Sequence, residues 1–234
     1  MPTLYSYKES GNSYKVRLLA AFLEVPLEVI EVDFLGNEQH GDKFVAINPK
    51  GEVPTLVDGN LVLTDSAAIL VYLAGKHSGP YHETTSPGSR ISGWWSSDVV
   101  EQAQVTDWLA FAASWVQYGV FTARAILSFG GPYNGLGTAS MEQTLRESQT
   151  RGEKSLKVLD QRLARTEWLA LGRPTIADIA VFVYVALAPM GDISLEPFVH
   201  VRAWIERIKR LPRFIPIDGL DDPLYRRRES TGKA

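Results

Sequence analysis

Ser10, Asn12 and Ser13 cluster between Leu4-Tyr5-Ser6-Tyr7 and Tyr14-Lys15-Val16-Arg17-Leu18-Leu19. Hydroxyl and amide side chains placed just before an apolar-periodic run are helix caps. The first N–H groups of a helix also lack internal partners, and the helix dipole favours negative charge there. The stretch can therefore hold an anion as well as cap a helix. A second helix start lies at Thr64-Asp65-Ser66, ahead of Ile69, Leu70, Tyr72 and Leu73 at helical spacing. It is suited to receive a carboxylate, again alongside ordinary capping by Asp65 or Ser66.

The surrounding pattern says what positions these residues. Thr3–Tyr7 reads as a strand with Leu4 on one face and Tyr5 and Tyr7 on the other. From Ser13 the period becomes helical on Val16, Leu19, Ala20 and Leu23, and Pro26 ends it. Leu27–Val32 is a second, β-branched strand, so the first three elements form a βαβ unit with a parallel crossover. An irregular stretch over Gly36–Gly41 leads to a helical turn through Phe44 and Ile47. Asp58-Gly59 then marks a hairpin between Thr55-Leu56-Val57 and Leu61-Val62-Leu63, with Pro54 directly before its first strand. A helix over Ala67–Gly75 completes a ββα unit.

Composition narrows the chemistry. At 234 residues, with 45% hydrophobic and 22% charged, the chain has ordinary globular material for one large or two small domains. A net charge of -3 with mixed signs gives no basic field for nucleic acid or an anionic membrane, and Arg226-Arg227-Arg228 reads as a solvated tail. With no cysteine, disulfides and a cysteine nucleophile are excluded, and four scattered histidines give no metal-ligand spacing. No signal peptide or membrane span is read, so the expected location is cytoplasmic.

Downstream, the Gly-, Ser-, Thr- and Pro-rich run from His77 to Arg90 reads as an interdomain connection. The division is then 1–79, a linker over 80–90, an all-helical domain over 91–215 and a tail over 216–234. Ile91–Tyr118 reads as one long helix carrying Trp94, Trp95, Trp108, Phe111 and Trp115. Such aromatics build cores, while Phe111, Trp115 and Tyr118 are the set that could line an apolar pocket. Gly130–Gly135 reads as a loop, Met141–Arg165 and Pro197–Arg210 as helices, and the tail from Leu211 as draped or disordered. Thr175-Ile176-Ala177-Asp178 is a capping box, a folding element with no catalytic part.

Four motifs in this order resemble the glutathione transferase superfamily: Ser10-Gly11-Asn12-Ser13 with Lys15-Val16-Arg17-Leu18, Asn48–Leu56, Leu63–Leu73, and Pro174–Ala180. The resemblance implies a thioredoxin-like α/β N-terminal domain (βαβ-ββα) followed by an all-α C-terminal domain. It implies glutathione as co-substrate, no metal, an apolar electrophilic acceptor, a detoxifying role and a homodimer.

By the same resemblance, Val53, before Pro54, offers its backbone to the cysteinyl part of glutathione. Asp65 and Ser66 bind the γ-glutamyl end, Asp65 standing where the family has Glu or Gln. Gln39, His40, Lys50 and Glu52 lie near the glycyl end. Ser13 matches the catalytic serine of theta-like classes, with Asn12, Ser10 and Tyr7 as alternatives from related classes. A glutathione thiol starts near pKa 8.5, so a drop of about two units, or roughly 2.7 kcal/mol, makes thiolate the major form at neutral pH. Two further readings stay open on the same motifs. One is an isomerase or a disulfide or peroxide reductase; Asn12 stands where the maleylacetoacetate isomerases have cysteine. The other is a non-catalytic glutathione-binding scaffold.

Overall fold

The computed structural model describes residues 1–79, 93–131 and 140–227. The expected linker over 80–90, the later part of the Gly130–Gly135 loop and the last residues of the tail lie outside these. The chain divides into a unit of Met1–Gln102 with Pro212–Ile215, and a second of Ala103–Leu211 with Pro216–Ala234.

In the first unit, β1 (Thr3–Ser6), α1 (Gly11–Leu23) and β2 (Glu28–Glu31) form the expected βαβ crossover. A short helix α2 (Asp42–Val45), β3 (Thr55–Asp58), β4 (Leu61–Leu63) and α3 (Ser66–His77) follow. The sheet order is β2-β1-β3-β4. β1 runs parallel to β2 with Leu4 opposite Val29, and antiparallel to β3 with Leu4 opposite Leu56. The hairpin turns at Gly59, whose φ of +60° is a conformation glycine adopts without a Cβ penalty. α1 starts at Gly11 rather than Ser13, because Ser10 is the cap. It ends at Leu23, before Pro26, with Glu24 left-handed. Leu4, Leu56, Val16 and Leu19 are fully buried. Tyr7, Val32, Phe44 and Val53 make a separate cluster, with Tyr5 and Phe34 packed against it.

The second unit is helical. The long aromatic helix starts later than its periodicity implies. Asp98 Oδ1 accepts the Val100 and Glu101 N–H groups at 2.9 and 3.0 Å, which sets the start of α4 (Val99–Phe111). Trp94 therefore precedes that helix and belongs, with Phe22, to the first unit, where the two rings stack with centroids 5.0 Å apart. α4 passes into a π-helical stretch, Ala112–Phe121, and then α5 (Thr122–Phe129), which Gly130 ends at φ +75°. α6 (Met141–Leu163), α7 (Ile176–Ala186) and α8 (Val199–Lys209) follow.

Every residue of α7 is buried, and its capping box forms as the sequence implies: Thr175 N–H donates to Asp178 Oδ2 at 2.9 Å. Leu169 N–H and Trp204 Nε1–H also donate to Asp178. Burial pushes this carboxyl up to about 6, against the pull of those donors. The tail is more ordered than its composition suggests. Tyr14 donates its hydroxyl to Ile215 O at 2.6 Å, and Arg213 pairs with Glu24 at 3.0 Å. Arg227, read from sequence as part of a solvated run, donates to Met190 O and Asp192 Oδ1.

Candidate active site

The turn between β1 and α1 is held by two bonds in series. Ser10 Oγ accepts the Ser13 N–H at 3.2 Å, and Ser13 Oγ accepts the Tyr7 N–H at 3.4 Å. Ser13 is 0% exposed and its oxygen faces the inside of the turn. Tyr7 is buried as well, its ring stacked on Phe34 at 5.5 Å. Ser10 and Asn12 are only part-buried. The N–H groups of Gly11 and Asn12, the first two of the helix, have no backbone acceptor among the described residues. This is the anion-accepting geometry that a helix start offers.

Asn12 is oriented from within its own helix. Lys15 Nζ donates to Asn12 Oδ1 at 2.9 Å, although Lys15 is only 5% exposed. Burial lowers the Lys15 ammonium to about 8, and the negative charge of Asp65 opposes that fall. Lys15 thus reaches, by contact or by charge, the starts of both α1 and α3. Sequence reasoning noted Lys15 only as part of a motif.

Asp65 caps α3, with Oδ1 accepting Ala67 N–H at 2.7 Å and Ala68 N–H at 3.4 Å. Ser66 is the first helical residue and is part-buried. The Val53–Pro54 peptide is cis. β3 pairs with β1 only from Thr55 onward, so Val53 lies beyond the ladder. Buried Asn48 fixes this segment: Nδ2 donates to Glu52 O at 2.7 Å and Thr55 Oγ1 at 2.9 Å, and Oδ1 accepts Lys50 N–H. No role for Asn48 was read from the sequence, where Asn-Pro registers only as a turn signal.

The glycyl-end candidates come together in part. Gly51, at φ +62°, sits so close to the preceding loop that an added Cβ would lie 2.6 Å from His40 Nδ1. Lys50 and Glu52 therefore flank the Gln39–His40 turn, and all but Gln39 are exposed. Gln39 is buried, and its Oε1 has no hydrogen-bond partner among the described residues.

In the second unit, Trp115 and Tyr118 are 44% and 48% exposed and line a cavity of about 700 Å³. Phe111 stacks on Trp115 at 5.9 Å and does not itself line it. The opposite wall is α6 with Arg146, Glu147, Arg151 and Lys154. Among the described residues no cluster of three His, Asp or Glu could hold a metal, and no helix is long and apolar enough to cross a membrane.

A four-stranded α/β unit of this topology followed by a helical unit is the thioredoxin-like plus all-α architecture. Residues 2–75 match the model of the glutathione S-transferase N-terminal domain and 116–212 that of its C-terminal domain. Glutathione S-transferase 2 of Anopheles gambiae is 30% identical over 204 residues, covering 87% of this chain and 88% of that protein. The chain belongs to the glutathione S-transferase family. Among solved structures, a glutathione S-transferase from Pseudomonas fluorescens superposes with a TM-score of 0.79 at 29% identity, covering 94% of this chain and 99% of that one. Ure2p in complex with glutathione gives 0.75 at 25% identity, covering 91% of this chain and 95% of that one.

Proposed function

We propose that this chain binds glutathione across the starts of α1 and α3 and activates its thiol for attack on an electrophile. The observation that carries the reading is the start of α1: two N–H groups without backbone acceptors beside an asparagine amide held by a buried lysine. A thiolate there accepts hydrogen bonds that would otherwise be unmade, and hydrogen bonds to the charged form lower a pKa. In the same reading, Asp65 and Ser66 hold the γ-glutamyl end, Val53 beside Pro54 pairs with the cysteinyl backbone, and Gln39, His40, Lys50 and Glu52 face the glycyl end. Ure2p, which is similar in fold, has been solved with glutathione, and this supports glutathione as the ligand.

Burial divides the four sulfur candidates. Ser13 and Tyr7 have their side chains inside the turn, whereas Asn12 and Ser10 keep exposed surface. Asn12 is therefore the side chain proposed to meet the sulfur, and Ser13 the brace that keeps the turn closed. The thiol proton leaves to solvent, the sulfur electron pair forms the new C–S bond, and the acceptor's leaving group departs with the displaced pair. Trp115 and Tyr118, with Phe111 behind, offer aromatic faces for an apolar acceptor. A homodimer acting in detoxification in the cytoplasm completes the reading.

The test is ultraviolet titration of bound glutathione thiolate in wild type, Asn12→Ala and Ser13→Ala. The expected result is a bound thiol well below 8.5 in wild type and a rise on losing Asn12 of about one pH unit, the size of one hydrogen bond to an anion. A wild-type thiol left at its free value sinks the proposal and favours a scaffold.

A further inference from the structure

Lys15 is out of place for a residue that only stabilises the fold. It is the fifth residue of α1 and only 5% exposed, where burial penalises a cation. Its ammonium nevertheless ends 2.9 Å from Asn12 Oδ1. An ammonium has three donors and no acceptor, so only the amide oxygen can face it. The two Nδ2–H donors of Asn12 must then point away from Lys15. An asparagine free to flip would present oxygen to an incoming anion half the time; this one is fixed with its donor edge outward.

We propose that Lys15 is a positioning residue that locks the Asn12 side-chain amide with its N–H edge toward the bound sulfur. The inference rests on the glutathione reading above and adds to it the group that sets the polarity of the donor. Asp65 closes the arrangement from the other helix. Its negative charge favours the Lys15 ammonium and works against the larger effect of burial. The sulfur end and the γ-glutamyl end of the site are therefore linked through one buried side chain. Lys15 touches neither end of the ligand in this scheme and acts only through Asn12.

A double-mutant cycle on the full chain tests this, with bound-thiol pKa, kcat and KM measured for wild type, Lys15→Met, Asn12→Ala and the double variant. Methionine fills the same volume without charge, and a thermal melt confirms each variant is folded. Lys15→Met and Asn12→Ala are each expected to raise the bound thiol by about one pH unit and to lower kcat with little change in KM. The double variant is expected to lose no more than either single, and Lys15→Arg to restore most of the loss, since a guanidinium is also donor-only. Additive losses, or a bound thiol unmoved by Lys15→Met, overturn the proposal.

A readout on the unliganded chain separates this from failure of the glutathione reading. The Asn12 side-chain N–H pair, identified by its loss in Asn12→Ala, is followed by NMR in wild type and Lys15→Met. An ordered pair in wild type that averages in Lys15→Met supports the lock even where no thiol is activated. A pair unchanged by Lys15→Met overturns it whatever the activity.

Discussion

At the residue scale, Lys15 also carries a stability consequence separable from catalysis. Its folded pKa is lowered from 10.5 to about 8, so between these values the unfolded chain holds a proton that the folded chain has released. Stability rises with pH wherever the unfolded state binds more protons. The buried ammonium thus costs on the order of 3 kcal/mol below pH 8, and the cost is relieved as pH climbs toward 10.5. Urea unfolding at pH 7 and pH 9.5 should show wild type gaining stability relative to Lys15→Met across that interval. Parallel behaviour of the two proteins would contradict it. Other groups titrate in the same window, and the difference between the proteins cancels them. The spacing of Ser10, Asn12 and Ser13 made the helix cap legible, and Ser10 is that cap. It did not say which side chain keeps exposed surface, because that depends on how the turn packs, and Ser13 is wholly buried while Asn12 is not.

At the scale of elements, some boundaries were legible and others were not, for a physical reason. The α7 capping box and the Ser10 and Asp65 caps depend on residues two or three apart, which sequence displays directly. The crossing between the π-helical stretch and α6 depends on two glycines 33 positions apart. An added Cβ on Gly119 would lie 2.8 Å from Gly152 N, and one on Gly152 would lie 2.5 Å from Ile193 Cδ1. The two backbones touch because neither has a side chain there. No local pattern announces such a contact. Gly119→Ala must push main chain apart rather than turn aside a flexible side chain, so a loss of about 1–3 kcal/mol is expected in chemical denaturation. Gly59→Ala offers the contrast, since open space surrounds it and only its φ of +60° opposes a methyl group. A Gly119→Ala loss no larger than that of Gly59→Ala would mean the helices are not held at contact distance.

At the scale of the whole molecule, the end of the chain returns to its beginning. Pro212–Ile215 follows the last helix of the second unit yet belongs to the first. The tail from Leu211, with three prolines followed by charge, reads from sequence as draped or disordered, because nothing in its composition names a partner 201 residues away. The partner is Tyr14 on α1, one residue past Ser13 and 1% exposed, which donates its hydroxyl to Ile215 O at 2.6 Å. Burial raises that hydroxyl above its ordinary pKa, so it remains a donor at any pH near neutral. Tyr14→Phe leaves the ring in place and strands a carbonyl without its donor, a change worth about 1–3 kcal/mol when the group stays buried. The effect should be confined to the first unit. Hydrogen exchange is expected to accelerate at the amides of α1 and at residues 213–215, while α7 keeps its protection. Uniform acceleration through α7 would show instead that the two units unfold as one, and that the closing segment has no particular hold on the candidate site.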